Sequence, residues 1–188
     1  DAGQYEKTLL VFTSDNGGQS DAGARNGPWR GGKTQVYEGG IRVPATVVWP
    51  GHIRAGGRIE TSLLAMDIYP TVAQAAGVDI DHPIDARSFL PLLLGDEQTP
   101  WPPRTLFWVR REGGRRDMGL TMYAVRRGDW KLLQPGMLAP FELYNLREDP
   151  REQHDLAGSR PGVFDELAAA FRAHLQQSGR VPWQPPRE

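Results

Sequence analysis

A short apolar run near the start of the chain constrains the fold more than any other feature. Residues 8–13 read TLLVFT and end abruptly in the polar, glycine-containing stretch SDNGG at residues 14–18. This pattern is typical of a buried strand that runs directly into a turn. Strands that are apolar throughout usually belong to sheets covered on both faces. Because few residues precede this strand, we expect the other strands of its sheet to lie upstream, in a longer polypeptide.

Loops and short elements alternate over the first hundred residues. Residues 17–40 are rich in glycine and show no hydrophobic period, which predicts a long loop of the kind that is commonly functional. A second strand is predicted at 41–49. A helix is expected to begin after Asp67, whose side chain can cap it, and to end at Gly77. A second, short helix is predicted at 88–95.

The segment TPWPP at residues 99–103 marks the clearest boundary in the sequence. Beyond it, turns separate four short apolar runs, a pattern that predicts an antiparallel meander. The predicted strands cover residues 105–109, 122–125, 130–133 and 141–144. A final helix at about 163–177 carries an apolar stripe that can lie on this sheet. The stripe consists of Phe164, Leu167, Ala168, Phe171 and Leu175. We therefore predict two domains, at 1–103 and 104–188.

Composition excludes several classes of function. The 188 residues carry a formal net charge of −1, which provides no general attraction to nucleic acid or to an anionic membrane. Since no stretch of about 18 apolar residues occurs, no membrane span is predicted. The absence of cysteine excludes disulfides, zinc–thiolate sites and cysteine nucleophiles within this sequence. The cellular compartment is left open.

Two consecutive polar residues at the end of the first strand are candidate metal ligands. Asp15 offers a carboxylate and Asn16 a carbonyl oxygen, which are the hard donors that Ca²⁺ and Mg²⁺ prefer. Gly17 and Gly18 would let the backbone turn tightly beside such a site. An ordinary turn explains the same four residues. Two ligands also fall short of the roughly 6 to 8 oxygens that surround Ca²⁺.

A lysine within the glycine-rich loop is a candidate anion-binding residue. Lys33 follows two glycines and can bring an ammonium group close to a tetrahedral anion such as sulfate or phosphate. Its spacing is not that of a P-loop, and a solvated loop lysine is the alternative. Lysine is rare among the 22 basic residues, a bias that we attribute to a G+C-rich bacterial gene. Glu38, farther along the loop, is interpreted as a buried structural acceptor for backbone amides.

A cluster of arginines follows the first strand of the predicted meander. Its members are Arg110, Arg111, Arg115 and Arg116, on either side of a glycine pair. A solvated charge run is the default interpretation of such a cluster. Selection of an anionic substrate is the alternative.

Four motifs in a fixed order suggest a family. They are TSDNGG at 13–18, NGPWRGGK at 26–33, YEGGIRVP at 37–44 and WPGH at 49–52. The similarity continues at 66–71, 90–95, 128–132, 142–146 and 149–150. Together these segments resemble the C-terminal portion of the type I, arylsulfatase-like sulfatases of the alkaline phosphatase superfamily. The resemblance implies an alkaline-phosphatase-like α/β fold. A partial mixed sheet with helices would be followed by a small α+β subdomain, made of an antiparallel sheet and a C-terminal helix.

The resemblance also implies a role for each candidate residue. Asp15 and Asn16 match the family's second pair of metal ligands, which usually bind Ca²⁺, with Mg²⁺ as the alternative. Lys33 matches the lysine that contacts the sulfate group and stabilises charge as the S–O bond breaks. The implied activity is hydrolysis of sulfate monoesters, with a sulfated small molecule or a sulfated carbohydrate as the substrate. A periplasmic or secreted parent protein is compatible with this activity.

The motif that supplies the family's nucleophile is absent from this sequence. That nucleophile is a formylglycine made within a Cys/Ser-x-Pro-x-Arg motif, and the nearest approach, SRPGV at 159–163, has valine in place of the arginine. The first acidic ligand pair, a histidine and a second lysine are likewise expected upstream. The resemblance therefore predicts a sulfatase fragment that is inactive alone and that can self-associate through an unpaired sheet edge. A fragment of a phosphonate or phosphate ester hydrolase and a non-catalytic folding module are the alternatives.

Overall fold

The computed structural model of the chain describes residues 3–96, 99–111 and 120–178. Its helices and strands are short except for the last helix. In chain order they are β1 (Leu10–Thr13), α1 (Glu38–Ile41), β2 (Ala45–Val48), α2 (Ile68–Ala75), α3 (Leu90–Leu93), β3 (Thr105–Arg111), β4 (Thr121–Arg127), β5 (Trp130–Gln134), β6 (Glu142–Asn145) and α4 (Pro161–Ser178). In the described residues no helix combines the length and apolar character needed to cross a membrane.

The chain divides into two compact units. The first consists of Asp1–Asp15 and Pro44–Pro102, and the second of Asn16–Val43 and Pro103–Glu188. The glycine-rich loop therefore belongs to the same unit as the C-terminal sheet and helix. The division between the units falls between the two candidate metal ligands. The predicted boundary between family domains at 103/104 stays a prediction.

The described residues of the first unit include a two-stranded sheet and the α-helices α2 and α3. β1 pairs with β2 in antiparallel orientation, with Leu10 opposite Val48. The predicted helix after Asp67 is present as α2, but the carboxylate of Asp67 does not cap it, which corrects that part of the prediction. Instead, the buried carboxylate accepts hydrogen bonds from the backbone amides of Leu64 at 2.8 Å and Arg87 at 2.9 Å. It thereby ties the segments on the two sides of α2 together.

The second unit is built on the predicted meander. β3, β4, β5 and β6 pair in that order, each antiparallel to its neighbour. Side chains alternate between the two faces of a strand, and β5 shows this directly. Leu132 packs with Leu167 and Phe171 of α4, whereas Leu133 packs with Val36 and Tyr37 of the glycine-rich segment. The sheet is therefore covered by α4 on one face and by residues 16–43 on the other.

The C-terminal helix confirms its predicted apolar stripe. Leu167, Ala168 and Phe171 are buried, and Phe164 and Leu175 pack beside them against the sheet. His174, at the border of the stripe, stacks on Phe107 of β3 with ring centroids 4.0 Å apart. Around Phe171, the stripe residues of α4 lie three, four or seven positions away, which places them on one side of the helix. The helical period therefore predicts the stripe.

Candidate functional site

The part of the glycine-rich loop that contains Lys33 is hydrogen-bonded to the turn that follows the candidate metal ligand Asn16. The backbone amide of Lys33 donates to the carbonyl of Gly18 at 3.0 Å. A Cβ atom on Gly32 would lie 2.7 Å from that same carbonyl oxygen, so the approach requires glycine. The side chain of Lys33 is exposed. Backbone geometry therefore places Lys33 beside the residue two positions after Asn16.

The side chain of Asn26 connects Gly18 with Gly31, which lie on either side of it in the glycine-rich loop. Its Oδ1 accepts from the amide of Gly18 at 2.6 Å, and its Nδ2 donates to the carbonyls of Gly18 at 3.0 Å and Gly31 at 3.1 Å. One amide side chain thus pairs with three backbone groups of the loop, of which the carbonyl of Gly18 also accepts from the amide of Lys33. The sequence shows Asn26 only as part of a motif, and its role emerges from the fold.

The turn after Asn16 is also fixed to α1. The amide of Gly17 donates to the carbonyl of Gly40 at 2.9 Å. A Cβ atom on Gly17 would lie 1.8 Å from the carbonyl oxygen of Gly39, which leaves no room for any other residue. The backbone of residues 17 and 18 therefore contacts two later parts of the glycine-rich loop: Lys33, and Gly40 in α1.

A buried ionic triad lies beneath α1. Lys131 of β5 is 0% exposed, and its Nζ lies 2.9 Å from Oε1 of Glu38 and 2.8 Å from Oε1 of Glu152. Glu38 and Glu152 are buried as well, and Oε2 of Glu152 accepts from the backbone amide of Glu38 at 2.7 Å. Arg126 and Arg42 lie 3.7 and 3.9 Å from Oε2 of Glu38 and provide further positive charge.

The triad corrects the interpretation of Glu38. Its carboxylate does pair inside the protein, but with the ammonium group of Lys131 rather than with backbone amides. Burial raises the pKa of Glu152 above its ordinary value of 4.5, and the nearby charge of Lys131 lowers that pKa in part. The backbone of Glu152 has φ of 55°, a left-handed conformation that is uncommon for a residue with a side chain. No local sequence pattern indicates Lys131 or Glu152 as a site residue.

A second polar cluster lies next to the triad. The guanidinium of Arg30 stacks over the ring of Tyr37 at 3.9 Å and donates to the hydroxyl of Tyr144 at 2.9 Å and to the carbonyl of Glu152 at 2.8 Å. Both tyrosine hydroxyls donate to the carboxylate of Glu142, at 2.8 and 2.7 Å. Burial, together with that carboxylate, raises the pKa of each tyrosine far above its ordinary value. The hydroxyls therefore stay protonated and serve as donors.

One arginine of the predicted charge run contacts the glycine-rich loop next to Lys33. Nη1 of Arg110, at the end of β3, donates to the carbonyl of Thr34, the residue after Lys33. Thr34 has φ of 80°, which is a strained conformation for a β-branched residue. This contact brings a second positive charge near Lys33. Arg115 and Arg116 lie outside the described residues.

The candidate metal ligands fit Ca²⁺ in kind but not in number. Asp15 is exposed and Asn16 is half-buried, and together they offer carboxylate and amide oxygens. In the described part of the chain, no group of three or more acidic or histidine side chains is arranged to hold a metal ion. A complete coordination shell would need donors beyond this pair. The ligand roles of Asp15 and Asn16, and the sulfate contact of Lys33, stay predictions.

Comparison with known proteins identifies the family. Residues 30–180 match the family described as N-sulphoglucosamine sulphohydrolase, C-terminal. Human arylsulfatase A is 32% identical over 92% of the chain. The crystal structure of Ps i-CgsB in complex with k-i-k-neocarrahexaose matches 90% of the chain with a TM-score of 0.78 and 32% identity. Phosphonate monoester hydrolase SpPMH from Silicibacter pomeroyi matches 95% with a TM-score of 0.68 and 25% identity.

These similarities confirm the fold class, and they show that the chain spans only part of the length of its relatives. The solved relatives are of the alkaline-phosphatase-like fold, and in this chain mixed elements precede the antiparallel sheet and its helix. The chain spans 38% of the length of arylsulfatase A, 37% of Ps i-CgsB and 36% of SpPMH. From the match over residues 30–180, the chain belongs to the sulfatase family, within the alkaline phosphatase superfamily, and corresponds to the family's C-terminal region.

Proposed function

We propose that this chain is part of a metal-dependent sulfatase that hydrolyses sulfate monoesters. The observation that carries the proposal is the hydrogen bond from the amide of Lys33 to the carbonyl of Gly18, in a chain that belongs to the sulfatase family. That bond keeps the exposed lysine beside the turn that begins with Asn16. The substrate would be a sulfated small molecule or a sulfated carbohydrate.

Each candidate residue has a defined task in this proposal. Asp15 and Asn16 would donate two oxygens to a Ca²⁺ ion, with Mg²⁺ as the alternative. The ion, once bound, supplies a positive charge that polarises the sulfate oxygens. The ammonium group of Lys33 would stabilise the negative charge that develops as the S–O bond breaks. The formylglycine nucleophile would come from a segment that this sequence does not contain, so we expect the chain alone to be inactive.

A second candidate is hydrolysis of phosphonate or phosphate esters. The similarity to phosphonate monoester hydrolase supports it, because a cation and a lysine suit any tetrahedral oxyanion. The two candidates differ in the ester that is turned over fastest. A comparison of the rates at which the complete parent protein turns over an aryl sulfate and an aryl phosphonate monoester under the same conditions would therefore separate them.

The test joins the chain to the part of Ps i-CgsB that lies outside the matched 37% of its length. A cooperative thermal transition first establishes that the chimera is folded. We expect it to hydrolyse a chromogenic aryl sulfate, whereas the chain alone does not. Lys33→Ala should lower kcat by about 100- to 1,000-fold, the usual cost of one lost oxyanion contact. Lys7→Ala, which removes another exposed lysine, is the matched control. A folded chimera whose turnover is unchanged by Lys33→Ala would refute the proposed role.

A further inference from the structure

The buried charge of Lys131 has no task in the chemistry proposed above. Lys131 is the second residue of β5, on the sheet face that residues 16–43 cover, and it is fully buried. A buried ammonium group is costly unless it is paired and hydrogen-bonded. Both of its partners are themselves buried carboxylates, and one of them, Glu38, is the first residue of α1. The pairing therefore joins the sheet to the glycine-rich segment at one defined point.

We propose that Glu38, Lys131 and Glu152 act as a positioning device for the loop that carries Asn16 and Lys33. None of the three would touch the substrate. Their effect is to fix the backbone of α1, on which the turn after Asn16 is held. The relevance of this device to catalysis rests on the proposed function, whereas its effect on the loop does not.

The first route from the triad to the loop runs through α1. Lys131 and the carboxylate of Glu152 hold the side chain and the backbone amide of Glu38, respectively. Two residues farther, the carbonyl of Gly40 accepts the amide of Gly17 at 2.9 Å. A shift of α1 would therefore move Gly17, which directly follows Asn16.

The second route runs through Arg30. The carbonyl of Glu152 accepts from Nη1 of Arg30 at 2.8 Å, and the carbonyl of Arg30 accepts from the amide of Gly39 at 2.8 Å. Arg30 lies three positions before Lys33, so this route holds the approach to the lysine. Glu152, whose backbone is left-handed, contacts Lys131 and Glu38 with its carboxylate and Arg30 with its carbonyl. The triad is thus connected to both sides of the loop.

Directionality separates this device from ordinary packing. Buried ion pairs contribute little net stability compared with apolar residues of the same size. Their hydrogen bonds do, however, select one orientation of the joined elements, whereas apolar contacts tolerate sliding. Val36 and Tyr37 already supply apolar burial between the loop and the sheet. The triad adds the orientation that this apolar contact does not define.

The experiment measures amide hydrogen exchange in the 188-residue chain, residue by residue. The main variant is the neutral triple Glu38→Gln, Lys131→Met and Glu152→Gln, which leaves no uncompensated buried charge. The control is Leu132→Ala, which removes packing from the neighbouring position of β5 on the opposite, α4-facing side.

In the triple variant we expect the amides of Gly17, Lys33 and Gly39 to exchange about tenfold faster, as for the loss of one charged hydrogen bond. Amides within β4 and β5 should keep their rates. Leu132→Ala should show the reverse, with faster exchange in the sheet and no preferential change in the loop. A triple variant whose loop amides exchange as in the unmodified chain, or change only in proportion to the sheet, would overturn the proposal. This experiment measures no turnover. Its result therefore decides the role of the triad even if Lys33→Ala does not lower turnover in the chimera.

Discussion

At the scale of single residues, the informative feature is a charge in a place that packing alone would fill with an apolar side chain. Leu132 and Leu133 follow Lys131 in β5, and all three are fully buried. Two carboxylates within 2.9 Å offset the cost of burying the ammonium group. One lysine therefore serves two acidic partners, and Arg126 adds the further charge that keeps the cluster from being net negative.

The carboxylate of Glu152 should make stability depend on pH. Since burial raises its pKa, the folded state binds the proton more tightly than the unfolded chain does, for which the pKa is about 4.5. Its contribution to stability is therefore complete below pH 4.5 and is lost as the pH rises through the folded-state pKa. Glu152→Gln removes this loss while keeping an acceptor for the amide of Glu38.

The measurement is urea unfolding of the unmodified chain and of Glu152→Gln, from below pH 4.5 to neutral pH. The free energy of unfolding of the glutamine variant, relative to the unmodified chain, should increase with pH over this range. Asp149→Asn, a nearby carboxylate outside the triad, serves as the control. A relative stability of Glu152→Gln that is constant with pH would contradict the assignment.

Local sequence motifs indicate only part of the candidate site, for a physical reason. Lys33, Asp15 and Asn16 are identified by local motifs, in which the turn residues and the functional residues lie within a few positions of each other. Lys131 is separated from Glu38 by 93 positions, and Glu38 from Glu152 by 114. Such pairings arise from the fold of the second unit, and no local period or spacing in the sequence indicates them.

At the scale of elements, local periodicity predicts the meander and α4, because those elements bury a regular face. The predicted 17–40 loop differs from the structure at its end, where α1 occupies Glu38–Ile41. Two of its four residues are glycines, which disfavour a helix by about 1 kcal/mol each. The helix forms nonetheless, because Glu38 is fixed by Lys131 and the glycines permit close backbone contacts.

Gly17 provides a test of those backbone contacts. In Gly17→Ala the new methyl group would overlap the carbonyl of Gly39, at a distance of 1.8 Å from it. We expect a loss of about 1–3 kcal/mol in the free energy of unfolding, the usual range for overpacking. Gly162→Ala, in the first turn of α4, meets no atom within 4 Å and should be neutral or stabilising. Chemical denaturation of both variants checks this, and equal effects would show that the contact with Gly39 is not tight.

At the scale of the whole molecule, the chain covers 38% of the length of arylsulfatase A and contains two of the predicted metal ligands. Asp15 and Asn16 offer two oxygen donors, whereas Ca²⁺ takes about 6 to 8. We therefore expect the chain alone to bind Ca²⁺ only at concentrations of about 1 mM or above. Isothermal titration with Ca²⁺, with Asp15→Ala as the control, measures this. Saturable binding at micromolar concentration that Asp15→Ala abolishes would reveal further ligands in the chain.

The apolar surface of β1 should also determine how the chain behaves in solution. Phe12 is 68% exposed and Leu10 47% exposed, although the run that contains them has the pattern of a buried strand. An uncovered apolar strand favours pairing with another copy. We expect concentration-dependent self-association in sedimentation velocity, and Phe12→Lys should weaken it. Leu138→Lys adds the same charge at a loop residue that is 95% exposed and should have little effect. If both variants weaken association equally, net charge rather than the β1 surface controls it, because single exposed apolar residues in loops rarely drive association.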